Sequence, residues 1–169
     1  MTFNINMKVI YKIVFLILIV LVACKGPKGL QGSPGEEGKC DRQIRIDFDF
    51  RGDAYTSTSE TRRLLVPHTY LIKFNKHYYT GVDSIIFVVL LASGESEHYA
   101  MVDLFNITDN LSIANSLIHT KSTSPVWLES VNIYDYLPDE EITLGVRLWT
   151  EHNGKMVYVY SASLFLYRD

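Results

Sequence analysis

Hydrophobic and polar residues alternate along much of the chain beyond residue 41, with the period of two that is typical of half-buried β-strands. In residues 43–51, isoleucine and phenylalanine occupy one side and charged residues the other. Residues 142–149 repeat the pattern, and their polar side carries Trp149 next in line to Arg147. Residues 85–92 instead form an unbroken apolar run, which predicts a central strand covered on both faces.

Shorter apolar segments between turn residues complete this region. Residues 56–61 are polar and predict a loop or an edge strand. Asn153-Gly154 predicts a type I′ turn that joins the last two strands as a hairpin. Further strands are predicted at residues 70–74, 99–105, 113–119, 125–134 and 156–167.

Eight or nine short strands at regular spacing, without an amphipathic helix, predict an all-β domain over residues 41–169. The expected architecture is an antiparallel β-sandwich with jelly-roll character. An immunoglobulin arrangement is disfavoured because no Cys…Trp…Cys core spacing is present.

Residues 1–23 have the composition of an export signal. Lys8 and Lys12 flank the start of an apolar run, and Ala23 stands directly before Cys24. A membrane-spanning anchor is disfavoured, because the uninterrupted apolar part is shorter than the ~20 residues that a spanning helix needs. An ordinary secretory signal would not require the cysteine. The segment resembles the lipobox of bacterial lipoproteins, which implies that Cys24 is lipidated and begins the mature chain.

Residues 24–40 contain a repeat in which every third residue is glycine. Strict Gly-X-Y periodicity is typical of collagen, because only glycine fits at the axis of three wound chains. Five triplets do not offset the ordering entropy of a triple helix unaided. The segment therefore either winds because the head trimerises, or serves as an extended spacer, which we favour. The glycines are Gly26, Gly29, Gly32, Gly35 and Gly38.

Cys40 closes the last triplet and is the second of the two cysteines. With Cys24 lipidated, Cys40 has no partner within its chain, which predicts either an intermolecular disulfide or a free thiol. Parallel chains would bring equivalent cysteines together at this position. No Cys-x-x-Cys pair and no zinc-ligand spacing is present, so neither redox chemistry nor a metal site is predicted.

This combination resembles the collagen-like lipoproteins of Bacteroidota, with a C-terminal jelly-roll or β-sandwich domain. Residues 103–109, 113–116 and 161–166 are similar to segments of jelly-roll domains on bacterial secreted and surface proteins. The resemblance implies an outer-membrane lipoprotein of the cell envelope, and Lys25 after the lipid cysteine agrees with it. Whether the head is displayed on the cell surface stays open.

Charge and motifs restrict the function. The net charge of −3 and the lack of a basic stripe argue against nucleic acid as a partner. There is no Gly-x-Ser-x-Gly, no His-Glu-x-x-His and no phosphate loop, so we predict a protein that is not an enzyme and has no cofactor. The five histidines stand on different predicted elements without ligand spacing.

Aromatic residues offer the main ligand hypothesis. Trp149 on the polar side of its strand could stack against a sugar ring, and Tyr158 and Tyr160 across the predicted hairpin could extend the platform. The alternative, which we favour, is that a loop or a neighbouring subunit packs on this face, because aromatic side chains dominate cores and interfaces.

Two weaker signals concern modification and metal binding. Asp83-Ser84-Ile85 resembles the O-glycosylation motif of Bacteroidota, with Ser84 as the acceptor. Asp47, Asp49 and Asp53 are weak calcium candidates. For Asp47 and Asp49 we favour pairing with Arg45 and Arg51 on a solvated face.

The sequence thus predicts a lipid-anchored envelope protein with a non-catalytic head that acts in binding or surface structure. Its expected partners are the membrane, through the lipid, and a glycan or surface protein. Two alternatives are a homotrimeric assembly of collagen-like segment and jelly roll without a small ligand, and a carbohydrate-binding module.

Overall fold

The structure is a computed structural model that describes residues 42–168. The expectations for the signal segment, Cys24, the glycine repeat and Cys40 fall outside the described residues. Within residues 42–168, no helix combines the length and the apolar character needed to cross a bilayer.

Two antiparallel sheets pack against each other, which confirms the predicted all-β sandwich. The first sheet has the order β1 (Gln43–Asp47), β11 (Val157–Arg168), β5 (Val82–Ser93) and β9 (Val126–Asn132), with β2 (Tyr55–Ser57) also paired to β11. The second has the order β3 (Arg63–Leu64), β10 (Ile142–Thr150), β6 (Ala100–Asn106) and β7 (Leu111–Ser112), with β4 (Leu71–Phe74) on β10 and β8 (Ile118–Thr120) on β6. Three short 3-10 turns lie at Pro67–Thr69, Lys76–Tyr78 and Tyr134–Tyr136.

The order of the strands is that of a jelly roll. We count β3 with β4 as one strand and β7 with β8 as another, and treat β2 as an addition to the edge. When the resulting eight strands are renumbered 1 to 8 along the chain, the first sheet has the order 1-8-3-6 and the second has the order 2-7-4-5. This is the double Greek key, in which most connections cross from one sheet to the other.

The connection between β10 and β11 is one of these crossings, so the predicted hairpin is wrong. The two strands lie in different sheets, and residues 151–156 lead from one to the other. Gly154 has φ 84°, but Asn153 is not among the described residues with positive φ. A type I′ turn needs positive φ at both central positions.

Apolar side chains from the inner faces of both sheets form the core. In β5, Ile85, Phe87, Val89 and Leu91 are fully buried, and Leu144 in β10 opposes them from the other sheet. Each such side chain contributes about 1.5–3 kcal/mol through burial. The alternation predicted from residue 43 onward is confirmed, since Phe48 and Phe50 are buried and Ile44 and Ile46 pack against the core.

The predicted strand at residues 113–119 is mostly a turn. Asn115 has φ 63°, a left-handed conformation that asparagine tolerates better than most residues. The Ser116 hydroxyl donates to the Ile113 carbonyl at 2.7 Å and accepts from the Leu104 backbone N–H at 3.0 Å. These local bonds satisfy backbone groups that a continuous strand would otherwise pair.

Candidate functional site

The outer face of the first sheet is apolar at its centre. Alternation along β5 turns Ile86, Val88 and Leu90 away from the core, and all three remain partly exposed. The unbroken apolar run therefore does belong to a central strand. The prediction that both faces of this strand are covered is wrong for the part of the chain that the structure describes.

Aromatic side chains from the neighbouring strands join this face. Trp127 in β9 lies opposite Leu90 and is 56% exposed. On the other side of β5, Phe165 in β11 lies opposite Ile86, and Tyr158 lies opposite Ala92. Paired residues in antiparallel strands share a face of the sheet, so these side chains all point outward.

A β-bulge adds Tyr160 to the same face. The register between β11 and β5 shifts between Val159 and Ser161, which leaves Tyr160 as the extra residue. The rings of Tyr158 and Tyr160 lie 6.2 Å apart at an interplanar angle of 22°, so they are nearly parallel. Both are partly exposed and available for contact.

We call this surface the aromatic face. Beside Trp127 it contains an open depression of about 340 Å³, which Val88, Leu128 and Glu129 also line. The residues of the aromatic face are Ile86, Val88, Leu90, Trp127, Tyr158, Tyr160 and Phe165.

Charged residues of β1 border the aromatic face. The Arg45 guanidinium lies 5.6 Å from the centre of the Phe165 ring and donates to Asp47 at 2.6 Å. Asp47 also accepts a hydrogen bond from the Ser163 hydroxyl at 2.6 Å. The predicted pairing of Asp47 with Arg45 is therefore confirmed.

The calcium candidates do not converge. Asp49 accepts from Arg51 at 3.2 Å, as the favoured alternative predicted. Among the described residues, the one group of three potential ligands whose ligand atoms approach one another contains none of Asp47, Asp49 and Asp53. The structure gives these three carboxylates no common site.

The outer face of the second sheet carries a buried ion pair. Arg147 in β10 donates through Nε to Asp103 Oδ1 at 2.8 Å, and a second bond joins its Nη2 to Oδ2. Nη2 also donates to the Ser112 hydroxyl at 2.6 Å, and the guanidinium lies 4.3 Å from the centre of the Phe105 ring. Asp103 is 3% exposed, so this pair is shielded from solvent.

Trp149 lies on this second face and is not an open platform. It is 5% exposed, and the guanidinium of Arg62 sits 4.8 Å from the centre of its ring. Because β10 and β11 belong to different sheets, Trp149 and the Tyr158–Tyr160 pair are on opposite sides of the sandwich. The predicted three-residue platform is therefore wrong, and the burial that we favoured for Trp149 is confirmed.

Close packing also covers the middle of this face. A Cβ placed on Gly145 would lie 2.7 Å from Leu64 Cδ1 and 2.9 Å from Ile107 Cδ1, so both side chains lie directly over the strand. We call this surface the covered face. Its residues are Asp103, Phe105, Gly145, Arg147 and Trp149, beneath Arg62, Leu64, Ile107 and Ser112.

Ser84 lies at the beginning of β5, opposite Tyr167, and is partly exposed. Its hydroxyl is thus at the surface of the first sheet, near one end of the aromatic face. Its glycosylation stays a prediction.

The histidines are on separate elements, as predicted, but one pair is not separate in space. His68 Nε2 lies 2.5 Å from the Tyr55 hydroxyl, and His119 packs edge-on against Tyr99. The rings of His98 and His152, 54 positions apart in the chain, lie 4.8 Å from each other.

His77 belongs to a charged cluster at the turn that follows β4. Hydrogen bonds from His77 and Lys76 lower the pKa of Asp139 below its usual value. The Lys76 side chain is 7% exposed, and its ammonium group donates to the Leu137 carbonyl at 2.7 Å, which joins this turn to Tyr134–Tyr136. The cluster therefore has a structural role in the sandwich.

Sequence reasoning missed Trp127 and Phe165 as members of a surface. Their signal was the alternation within their own strands, in which Trp127, Glu129 and Val131 share one side. The apolar partner Leu90 could be identified only once the pairing of β5 with β9 was known.

No protein-family model matches this chain, and a search of curated proteins finds no match either.

Proposed function

We propose that this protein is a lipid-anchored, non-catalytic component of the bacterial outer membrane whose β-sandwich head associates with further copies of itself through the aromatic face. The observation that carries the proposal is the set of apolar side chains on the outer side of β5. The inner side of β5 already completes the core. The packing of the head therefore does not require the apolar side chains of Ile86, Val88 and Leu90 on the outer side.

The composition of the aromatic face supports a protein interface. Contiguous exposed apolar surface is uncommon on monomeric proteins and marks contact sites. Tryptophan and tyrosine are the residues most enriched at the energetic centres of interfaces, and Trp127, Tyr158 and Tyr160 meet that description. Arg45, Asp47 and Glu129 supply the polar border that interfaces usually have.

The N-terminal sequence supports a second copy as the occupant. Lipid on Cys24 and the spacer of residues 24–40 would confine all heads to one membrane plane. Such confinement raises the effective concentration of one head near another, so an interface of modest affinity suffices. Cys40 stands two residues before Arg42, where a disulfide between copies would add a covalent link.

The oligomeric state tests the interface. We expect the full-length chain, purified in detergent under reducing conditions, to sediment as a dimer or trimer. Trp127→Lys should weaken association at least tenfold, because it places a charge in the centre of the apolar contact. Leu117→Lys is the matched control: Leu117 is 51% exposed, against 56% for Trp127, and precedes β8 in the other sheet. A monomeric wild type, or association that Trp127→Lys leaves intact, would exclude this interface.

A separate variant tests whether the glycine repeat acts as a spacer or as a triple helix. Replacing Gly29, Gly32 and Gly35 together with serine leaves the oligomer unchanged if residues 24–40 act as a spacer, because flexible linkers tolerate such changes. Dissociation of the triple variant would show instead that a triple helix holds the heads together.

Metabolic labelling tests the anchor. Cys24→Ala should abolish incorporation of a fatty-acid analogue and leave the precursor uncleaved, because the lipid is attached to that sulfur before processing. Equal labelling of the wild type and the variant would exclude a lipoprotein. Fractionation of the labelled membranes then tests the location in the outer membrane.

A carbohydrate-binding head is the second candidate, and the near-parallel Tyr158 and Tyr160 rings beside the partly exposed Ser161 favour it. A glycan array separates the two proposals. Saturable binding of an oligosaccharide that Tyr158→Ala abolishes, by a protein that sediments as a monomer, would support the binding module over self-association.

A further inference from the structure

Two crossing connections meet at one end of the sandwich. Residues 94–99 lead from β5 to β6, and residues 151–156 lead from β10 to β11. The Gly94 N–H donates to the Met156 carbonyl at 2.8 Å, and the Glu151 N–H donates to the Tyr99 carbonyl at 3.1 Å. The two loops are therefore held side by side by backbone bonds before any ligand is considered.

We propose that His98, Glu151 and His152 form a binding site for a zinc ion that joins these two loops. Each residue offers one ligand atom, and the three atoms lie within 4.8 Å of one another. Zinc bonds of about 2.0–2.1 Å place tetrahedral ligand atoms roughly 3.4 Å apart, so the side chains need to close by no more than about 1.4 Å. Glu151 and His152 are exposed, which leaves them free to make this adjustment.

The surroundings of the two His98 ring nitrogens are the second observation that points to a ligand. Its Nδ1 is buried and has no hydrogen-bond partner. Its other nitrogen, Nε2, lies 3.6 Å from Glu95 Oε2. A histidine that binds a metal through one nitrogen commonly donates the other N–H to a carboxylate, which fixes the tautomer and the orientation of the ring. Glu95 is placed for that role, and Nδ1 is then the metal ligand.

The charges around Glu95 agree with this role. Lys155 Nζ donates to both carboxylate oxygens of Glu95, at 3.0 and 2.8 Å. Glu95 therefore neutralises Lys155, the cation on the same loop as His152.

Glu151 keeps one oxygen for a metal ion. Its Oε2 accepts from the Tyr99 backbone N–H at 3.3 Å, which positions the carboxylate and leaves Oε1 for coordination. His152 packs against His98 with the rings 82° apart, so the two imidazoles approach at an angle and not as a stack. The hydrogen bond from the Tyr99 N–H thus holds the Glu151 carboxylate near the proposed ion, and the ring contact with His98 holds His152 there.

The donor set selects the class of metal. Two imidazoles and a carboxylate suit zinc, whereas calcium and magnesium prefer oxygen ligands alone. Three protein ligands leave a fourth position for water or for a donor from another molecule. No ligand spacing is visible in the sequence, because His98 and His152 come together only through the crossing of the two loops.

Calorimetric titration with zinc chloride tests the site. The full-length chain is purified in detergent without a histidine tag, and its free thiol is alkylated so that Cys40 cannot bind zinc. We expect one zinc ion per chain and no binding of magnesium under the same conditions. His152→Gln should weaken zinc binding at least tenfold. Because His152 is exposed, this variant should remain folded, which circular dichroism verifies.

Two further variants distinguish a specific zinc site from nonspecific binding of zinc to exposed histidines. His77→Gln is the control, since His77 is exposed and follows β4, which pairs with the opposite end of β10; its zinc affinity should equal that of the wild type. Glu95→Gln should weaken binding by about 10–100-fold, the usual effect of removing the carboxylate behind a ligating histidine. Zinc should also raise the thermal midpoint of the wild type and not that of His152→Gln.

Three results would overturn the proposal. They are a wild type that binds no zinc, equal zinc affinity in the wild type and His152→Gln, and a loss in His77→Gln as large as that in His152→Gln. An unchanged affinity in Glu95→Gln would overturn the positioning role of that carboxylate.

Discussion

The chain has two tryptophans, and they lie on the outer faces of opposite sheets with opposite exposure. Trp149 on the covered face is 5% exposed beneath Arg62, whereas Trp127 on the aromatic face is 56% exposed. Each sits in an alternating strand on the side away from the core. The alternation therefore determines which way a side chain points, and segments distant in sequence determine whether that side is covered.

The cover of the second sheet combines apolar side chains with paired charges. Asp103 and Arg147 are nearly buried there, and Arg62 lies 3.8 Å from the same carboxylate while it covers Trp149. The described part of the aromatic face has no such buried pair at its centre. Side chains of the head itself thus close the covered face, whereas the aromatic face is left open for association.

The largest expected effect comes from breaking the buried pair. Arg147→Met should cost about 3–5 kcal/mol in the free energy of unfolding, because it leaves the Asp103 carboxylate buried without its main partner. Denaturant unfolding of the purified protein measures this. Its control is Asp103→Leu combined with Arg147→Met, which should recover most of the loss because no buried charge remains. Loss of less than about 1 kcal/mol in the single variant would mean that Arg62 takes over the pairing.

Trp149→Ala should cost about 3 kcal/mol, the lower end for truncating a buried tryptophan. The reason is that the cover over its ring is a half-exposed arginine and not a closed apolar core. The same denaturation experiment gives the value. A change within experimental error would show that the ring is not packed and would remove the contrast between the two faces.

Gly145→Ala should cost about 1 kcal/mol, the lower end for overpacking. The added Cβ would meet only the terminal methyl groups of Leu64 and Ile107, which can turn aside. A stability equal to that of the wild type would show that the cover yields easily, and the covered face would then resemble the aromatic face.

The smallest effect is expected on the aromatic face. Trp127→Ala should change the unfolding free energy of the dissociated protein by no more than about 0.5 kcal/mol, as surface substitutions usually do. In a Trp149→Phe background, acrylamide should quench the remaining Trp127 strongly in dilute protein and weakly in the oligomer. Equal quenching at all concentrations would place Trp127 outside the interface.

Much of the fold followed from local pattern. Strands predicted at 85–92, 142–149 and 156–167 are observed as Val82–Ser93, Ile142–Thr150 and Val157–Arg168, because a strand with one buried side carries its period in the residues. The sheet to which each strand belongs is not encoded locally. Asn153-Gly154 has the composition of a hairpin turn, yet it crosses between the sheets.

The candidate sites were harder to predict for the same reason. Trp149 and Tyr158 are close in sequence and on opposite sides of the sandwich, whereas His98 and His152 are far apart in sequence and in ring contact. The pairing of strands decides both outcomes, and no single segment contains that information.

The pairing of β1 with β11 defines two ends of the head along β11. Gln43 lies opposite Tyr167, so the chain enters the sandwich beside the end of its last strand, and Val157 lies opposite Ser93 at the other end. The 12 residues of β11 span roughly 40 Å between these ends. The loops with His98 and His152 adjoin this second end, so the length of β11 separates the proposed zinc site from the point where the chain enters the sandwich.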